Sequence, residues 1–211
     1  MPSARQQTAA RFAAAMTKLV ILGSAAAAIV LTTATAAPPV QPVTQVDVER
    51  YAGMWYELAR APNGLQAKCL GDVTATYRPL PDGSIKVINR CRQNDDQWDV
   101  AVGRARLPEG DNSGAKLKVS FLPNWLRWVP GTQADYWVVL LDPEYRFAVV
   151  SEPTREYVWI LSRTPTLDAR TYDQIVERLR EQGYPVNTLV PTAQQSRGQM
   201  QPMAKRVALL T

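Results

Sequence analysis

The sequence contains no histidine. It therefore cannot form a Ser-His-Asp triad, use an imidazole base, or bind a metal or haem through histidine. Its acidic pairs, Asp95 with Asp96 and Glu109 with Asp111, lie in turn-like stretches where solvated loop charge is the favoured interpretation. No phosphate-binding glycine loop or metal-ligand spacing is present either. We therefore predict a protein that is not an enzyme and has no cofactor and no metal site.

Long apolar runs are also scarce. The one clear run, residues 19–31, follows a basic start and precedes small residues. It is shorter than the roughly 20 apolar residues that a spanning helix requires. This layout predicts a signal peptide over residues 1–36 with cleavage after Ala36, rather than an uncleaved membrane anchor. Because no cysteine lies directly after the run, we expect a periplasmic or secreted protein without a lipoprotein anchor.

Excess positive charge is confined to the two ends of the chain. The net charge is +5, but residues 1–36 and 191–211 each carry three basic residues and no acid. The 18 basic and 19 acidic residues between them nearly cancel. A nucleic-acid partner is therefore not expected. We predict a linker over residues 37–46 and a disordered basic tail over residues 191–211, which is glutamine-rich and poor in aromatic residues.

Short β segments alternate with turn residues through the middle of the chain. Such spacing is typical of a sandwich or a closed barrel. One helix should follow, capped by Thr166 or Asp168 and ended by Gly183 and Pro185, with a short strand near residues 187–190. The eight predicted strands are Trp55–Arg60, Val73–Tyr77, Ile85–Cys91, Trp98–Leu107, Lys116–Phe121, Asp135–Leu141, Tyr145–Ser151 and Tyr157–Arg163.

Strand alternation assigns side chains to the two faces. Outward-facing Lys116 and Lys118 place Phe121 on the inner face by period-two counting. The same counting, begun at Arg146, places Phe147 on the inner face as well.

The only two cysteines are Cys69 and Cys91. In an up-and-down meander both fall at the same end, on neighbouring antiparallel strands, with Cα atoms within disulfide range. Export would also place them in an oxidising compartment. We therefore favour a disulfide over two separate buried thiols.

Two motifs lie about a hundred residues apart. The first reads Gly53-Met54-Trp55-Tyr56-Glu57, and the second ends in Arg163. A guanidinium stacked on a large indole can close one end of a small barrel, and a glycine lets another segment pass close by. Asp142 and Tyr145 lie between the two motifs, and Leu141 precedes Asp142.

Over residues 45–190 these motifs resemble the lipocalin family, and most closely its bacterial lipocalin and apolipoprotein D-like subgroup. The resemblance implies an all-β fold over residues 47–190. That fold is an eight-stranded up-and-down antiparallel β-barrel with one C-terminal α-helix. It further implies that one end of the barrel is closed by Gly53, Trp55, Asp142, Tyr145 and Arg163.

Such a barrel can hold one small hydrophobic ligand. The resemblance implies an exported lipid-binding or transport protein that holds a fatty acid, a lysophospholipid or a similar molecule. Plain core packing is the alternative for each lining residue. The expected ligand-binding residues are Tyr77, Asn89, Tyr136 and Trp159 from the resemblance, and Phe121 and Phe147 from alternation.

Two other functions remain open. The loop that carries Trp125 and Trp128 could make this protein an envelope interaction module through a peripheral membrane contact or a dimer contact. Both a monomer and a homodimer are therefore considered. The third hypothesis is an enzyme of the same fold that works without histidine, for which Glu57 is the one candidate residue near the base.

Overall fold

The computed structural model of the protein describes residues 37–94, 97–123 and 131–195. Two α-helices and nine strands lie in this part of the chain. They are α1 Val48–Tyr51, β1 Gly53–Arg60, β2 Gly71–Pro79, β3 Ile85–Arg92, β4 Trp98–Arg106, β5 Lys116–Ser120, β6 Ala134–Leu141, β7 Phe147–Ser151, β8 Val158–Ser162, α2 Ala169–Glu181 and β9 Val190–Pro191. The predicted signal peptide of residues 1–36 lies outside the described residues.

Strands β1 to β8 form a closed antiparallel barrel. Each strand pairs with the next in sequence, and β1 pairs with both β2 and β8. Trp55 of β1 lies opposite Ala75 of β2, and Glu57 of β1 lies opposite Leu161 of β8. Closure leaves no free edge between first and last strands, which is how such sheets avoid edge-to-edge pairing. The predicted eight-stranded barrel with one main helix is confirmed.

Apolar side chains separate into two clusters because strand residues alternate between faces. The inner cluster fills the lower barrel and includes Trp55, Tyr77, Val87, Leu117, Val138 and Val150. The outer cluster lies between the barrel wall and α2, whose Ile175 and Leu179 are buried. Asp168 caps α2, since its carboxylate accepts a hydrogen bond from the Thr171 N–H at 3.0 Å.

The orientation predicted for Phe147 is wrong. Phe147 and Val149 pack in the outer cluster against α2, whereas Ala148 and Val150 face the barrel interior. The counting failed because it began at Arg146, which lies in the turn before β7 and bonds back to Asp142. Residues in a turn do not alternate between the two faces of a sheet, so faces cannot be counted from one.

The chain continues into the barrel wall beyond the predicted domain end. Residues 190–191 form β9 and pair with residues 59–60 of β1. The Gln194 side chain then donates hydrogen bonds to the Glu57 carbonyl at 2.8 Å and to the Val73 carbonyl at 2.9 Å. Residues 191–195, which we predicted to begin a disordered tail, therefore bridge β1 and β2 where these strands diverge. The remainder, residues 196–211, lies outside the described part.

Residues 37–46, the predicted linker, pack on the barrel. Val40 and Val46 are buried, and the Val43 N–H donates to the Val138 carbonyl at 2.8 Å. Residues 37–211 form one compact unit, and its described part contains both apolar clusters and the complete barrel. We therefore expect this unit to fold by itself. No helix in the described ranges is long and apolar enough to cross a membrane.

The predicted disulfide between Cys69 and Cys91 is confirmed, with Cα atoms 5.5 Å apart. It joins the segment before β2 to the end of β3. Because these strands are neighbours, the bond fixes the rim of the barrel on that side.

Replacing both cysteines should destabilise the fold. Cys69→Ala with Cys91→Ala removes a crosslink spanning 22 positions, which should lower the free energy of unfolding by about 3 kcal/mol. Urea denaturation of residues 37–211 measures this change. A reducing agent should shift the unfolding midpoint of the natural chain and leave that of the double variant unchanged. Equal midpoints for both oxidised proteins would contradict the expectation.

Candidate binding site inside the barrel

The closed end of the barrel is built around Trp55, which is fully buried. The Arg163 guanidinium lies over its indole, 3.8 Å from the ring centroid. Two Arg163 nitrogens also donate to the carbonyls of Arg50 at 2.7 Å and Met54 at 3.0 Å. Gly53 has φ +94°, and a Cβ there would lie 3.4 Å from an Arg163 nitrogen. A cation–π stack and charge-assisted hydrogen bonds therefore hold this end together.

Asp142 and Tyr145 support the same end. The Asp142 carboxylate accepts hydrogen bonds from the Arg146 side chain at 2.8 and 2.9 Å, and this bonding lowers the pKa of Asp142. Tyr145 adopts φ +58°, and its hydroxyl accepts a hydrogen bond from the Asp47 N–H at 2.9 Å. The Arg50 guanidinium lies 4.1 Å from the Tyr145 ring centroid. The β6–β7 turn is thus joined to the start of α1.

Three tyrosines, the buried Tyr51 and Tyr77 and the partly buried Tyr136, form a chain of hydroxyl groups at the barrel base. The Tyr51 and Tyr136 oxygens are 2.9 Å apart, and the Tyr136 hydroxyl donates to Tyr77 at 2.8 Å. Tyr51 must then donate to Tyr136, because each hydroxyl has a single hydrogen. The Tyr77 hydrogen consequently has no acceptor within the described residues. Burial raises the pKa of Tyr77 to about 12, and it raises the pKa values of Tyr51 and Tyr136 well above the ordinary value.

Small residues surround Asn89 on the inner wall above the tyrosines. Asn89 lies between Ala75 of β2 and Ala101 of β4. Its side-chain oxygen is buried and has no hydrogen-bond partner in the described part of the chain. The Phe121 ring lies on the inner face of Gly103, where a Cβ would approach it to 2.8 Å. Phe121 is nonetheless 46% exposed, so apolar surface remains uncovered inside the wall.

A polar network lies on β1 and β8 and on the segments that adjoin them. The Trp159 indole N–H donates to the Gln66 side-chain oxygen at 2.8 Å, and the Gln66 amide donates to Glu57 at 2.6 Å. Glu57 is 3% exposed. Its other oxygen accepts from Arg60 at 2.9 Å and from the Thr192 hydroxyl at 2.5 Å. Both carboxylate oxygens therefore have hydrogen-bond partners. These bonds account for the burial of Glu57 by a structural role alone.

The sequence did not reveal this network. Its members come from β1, the segment after β1, β8 and the C-terminal segment, and they lie up to 135 positions apart. A carboxylate three residues before an arginine is a local signal, but it does not indicate the partners Gln66 and Thr192.

The barrel brings together five of the six predicted ligand-binding residues. Phe147 is the exception, since it packs against α2. Trp125 and Trp128 lie outside the described residues, as do Asp95 and Asp96. Throughout the described ranges, no group of three or more acidic, cysteine or histidine residues could hold a metal ion. The interior residues are Tyr77, Asn89, Phe121, Tyr136 and Trp159.

Removing the central hydroxyl of the tyrosine chain should destabilise the protein. Tyr136→Phe breaks both hydrogen bonds and leaves the Tyr51 hydroxyl buried without its partner. We expect a loss of about 1–3 kcal/mol in the free energy of unfolding, measured by urea denaturation. Tyr157→Phe is the matched control, because the Tyr157 hydroxyl makes no hydrogen bond in the described residues. Equal stabilities of the two variants would contradict this role.

The raised tyrosine pKa values predict a loss of stability at alkaline pH. Unfolded tyrosines ionise near pH 10.0, whereas folded Tyr77 keeps its proton to about pH 12. The contribution that protonated Tyr77 makes to the free energy of unfolding is therefore complete below pH 10, and it is lost as the pH rises toward 12. Urea midpoints measured across this range should fall. An absorbance titration should show late-ionising tyrosines that become ordinary in urea; one transition in the folded state would contradict the prediction.

A family model described as a lipocalin-like domain matches residues 46–194. Temperature-induced lipocalin-1 of Arabidopsis thaliana is 42% identical over 153 residues, which cover 72% of this chain and 81% of the plant protein. The outer membrane lipoprotein Blc of Vibrio cholerae is 38% identical over 158 residues, covering 74% of this chain and 87% of that protein.

Solved structures agree on the fold. Insecticyanin from the tobacco hornworm Manduca sexta superposes with a TM-score of 0.59 at 18% identity. The match covers 77% of this chain and 87% of insecticyanin. At this identity the likeness concerns the fold alone.

One prediction is contradicted by these relatives. We expected a periplasmic or secreted protein without a lipoprotein anchor, whereas the similar protein of Vibrio cholerae is an outer membrane lipoprotein. The prediction depended on a missing cysteine directly after residues 19–31, and those residues lie outside the described part of the chain. It is therefore withdrawn.

Proposed function

This chain is a member of the lipocalin-like family, and from that membership we propose that it binds one small hydrophobic ligand inside its barrel. The ligand class is a fatty acid, a lysophospholipid or a similar amphipathic lipid. The protein acts as an exported carrier of that ligand, without catalysis and without a cofactor. The name of the Vibrio cholerae relative supports the outer membrane as the place of action.

The unpaired side-chain oxygen of Asn89 is the observation that carries the proposal. A buried acceptor without a partner costs about 1–3 kcal/mol, so such groups usually have one. Tyr77 supplies the complementary group, a hydroxyl hydrogen without an acceptor among the described residues, two positions along β2 from Ala75, the residue opposite Asn89. A ligand hydroxyl or protonated carboxyl can donate to Asn89 and accept from Tyr77, whereas a plain hydrocarbon can do neither.

The surrounding wall suits an acyl chain. The inner face on either side of Asn89 carries only the small side chains of Ala75 on β2 and Ala101 on β4. Phe121 and Trp159 also line the interior, and both retain exposed surface. Lining by apolar groups with a few polar contacts is typical of sites for amphipathic ligands. Acyl methylenes inside this wall would gain about 0.8 kcal/mol each from burial.

A paired substitution on β4 tests the proposal. Ala101 points into the barrel opposite Asn89, whereas Val102 points outward. Ala101→Phe should obstruct the site and weaken binding of a long-chain fatty acid by about tenfold or more, because several methylenes lose their contacts. Val102→Phe, on the same strand, should bind as the natural chain does. Displacement of a fluorescent fatty acid from residues 37–211 measures both affinities.

Mass spectrometry of the purified protein under native conditions provides the second readout. The natural chain and Val102→Phe should retain bound lipid, and Ala101→Phe should not. Equal affinity of both variants would contradict a site inside the barrel. Absence of any binding of fatty acid or lysophospholipid to the natural chain would overturn the proposed function.

A further inference from the structure

The outward face of β2, β3 and β4 carries a row of like charges. Arg78 lies directly opposite Lys86, and Lys86 lies directly opposite Arg104. Like charges in such positions destabilise a sheet. Arg104 is compensated by Asp82 at 2.6 Å, but no ion pair within the described residues involves Arg78 or Lys86. The row therefore retains positive charge that the fold itself does not neutralise.

An exposed apolar strip adjoins this row on the same face. Val100 and Val102 of β4 are 52% and 47% exposed, and Ile88 of β3 lies opposite Val102. Trp98, at the start of β4, is 41% exposed, and the Arg90 guanidinium stacks 3.9 Å from its ring centroid. This basic–apolar face consists of Arg78, Lys86, Ile88, Arg90, Trp98, Val100, Val102 and Arg104.

We propose that the basic–apolar face docks on the surface of an anionic lipid bilayer. Arginine and lysine are attracted to anionic headgroups, and a tryptophan with valines can enter the boundary between headgroups and acyl chains. A phospholipid surface presents both features together. The face lies on the outside of the barrel, so the inference does not depend on a ligand inside it.

Two other occupants fit this face less well. A second copy of the chain, seated on the same face, would bring two rows of cations together, and such repulsion opposes association. Nucleic acid would match the cations, but its interfaces are polar and wet, so the strip of Val100 and Val102 would gain little there. Charge together with apolar exposure therefore favours the bilayer.

Lys86→Glu separates docking from folding. A glutamate at position 86 faces Arg78 on one side and Arg104 on the other, so repulsion is replaced by attraction and the unfolding midpoint should not fall. Binding to vesicles should weaken by about tenfold or more, since an attractive charge becomes a repulsive one. Arg170→Glu is the matched control, because it makes the same change in net charge at an exposed position on α2.

Vesicle sedimentation with residues 37–211 is the measurement. One set of vesicles is phosphatidylcholine alone, and the other contains about one quarter phosphatidylglycerol, which gives an anionic surface. The natural chain and Arg170→Glu should sediment with the anionic set and much less with the neutral set. Lys86→Glu should stay in solution with both.

A second variant tests the apolar strip. Val100→Thr with Val102→Thr keeps the branched shape that strands favour while removing apolar surface, so folding should persist and vesicle binding should weaken. Equal binding of all variants, or no preference for anionic vesicles, would overturn the proposal. A dimer of the natural chain that Lys86→Glu strengthens, or tighter binding to single-stranded DNA than to vesicles, would also overturn it.

Discussion

The stack of Arg163 on Trp55 is the interaction on which the barrel depends. A sheet that closes on itself must bring its first and last strands together, and these residues lie at that junction, on β1 and just after β8. The guanidinium covers the indole and donates to backbone carbonyls of the α1–β1 segment. One side chain therefore seals the base and joins segments more than a hundred positions apart. Closure allows the upper interior to remain lined by small residues without losing the fold.

The interior is divided by chemistry along its axis. Below, three tyrosine hydroxyls are joined by two hydrogen bonds among aromatic rings, and their pKa values rise because ionised phenolates would be buried. Above, Asn89 has an unpaired oxygen beside alanines, and Phe121 remains partly exposed. On β1, Glu57 and Arg60 neutralise each other inside a hydrogen-bonded network. Among the described residues of this interior, Asn89 and Tyr77 are the ones left with an unpaired polar atom or hydrogen, and the proposed ligand would lie beside them.

Local patterns were sufficient to predict most of the fold. Alternation and turn residues gave the eight strands, the Asp168 cap marked the helix, and the motifs around Trp55 and Arg163 identified the family that the comparisons confirm. Counting strand faces from Arg146, a turn residue, placed Phe147 on the wrong face of β7. The composition of residues 191–195 suggested disorder. The contacts that order these residues are with β1 and β2, which are distant in sequence, so the local composition did not indicate them. Total charge concealed the cations on β2 to β4, since the 18 basic and 19 acidic residues of the domain nearly cancel in the sum.

The insertion of residues 190–195 between β1 and β2 has a consequence for how the barrel is assembled. The earliest strands of the domain are completed by almost the last described residues, with Gln194 bonded to both of their backbones. During synthesis from the N-terminus, β1 to β8 are thus all present before residues 190–195. At that stage the gap between β1 and β2 near the rim is still unfilled. Contacts of such long sequence separation form late. Until then the wall has a gap between β1 and β2, which the finished barrel no longer has.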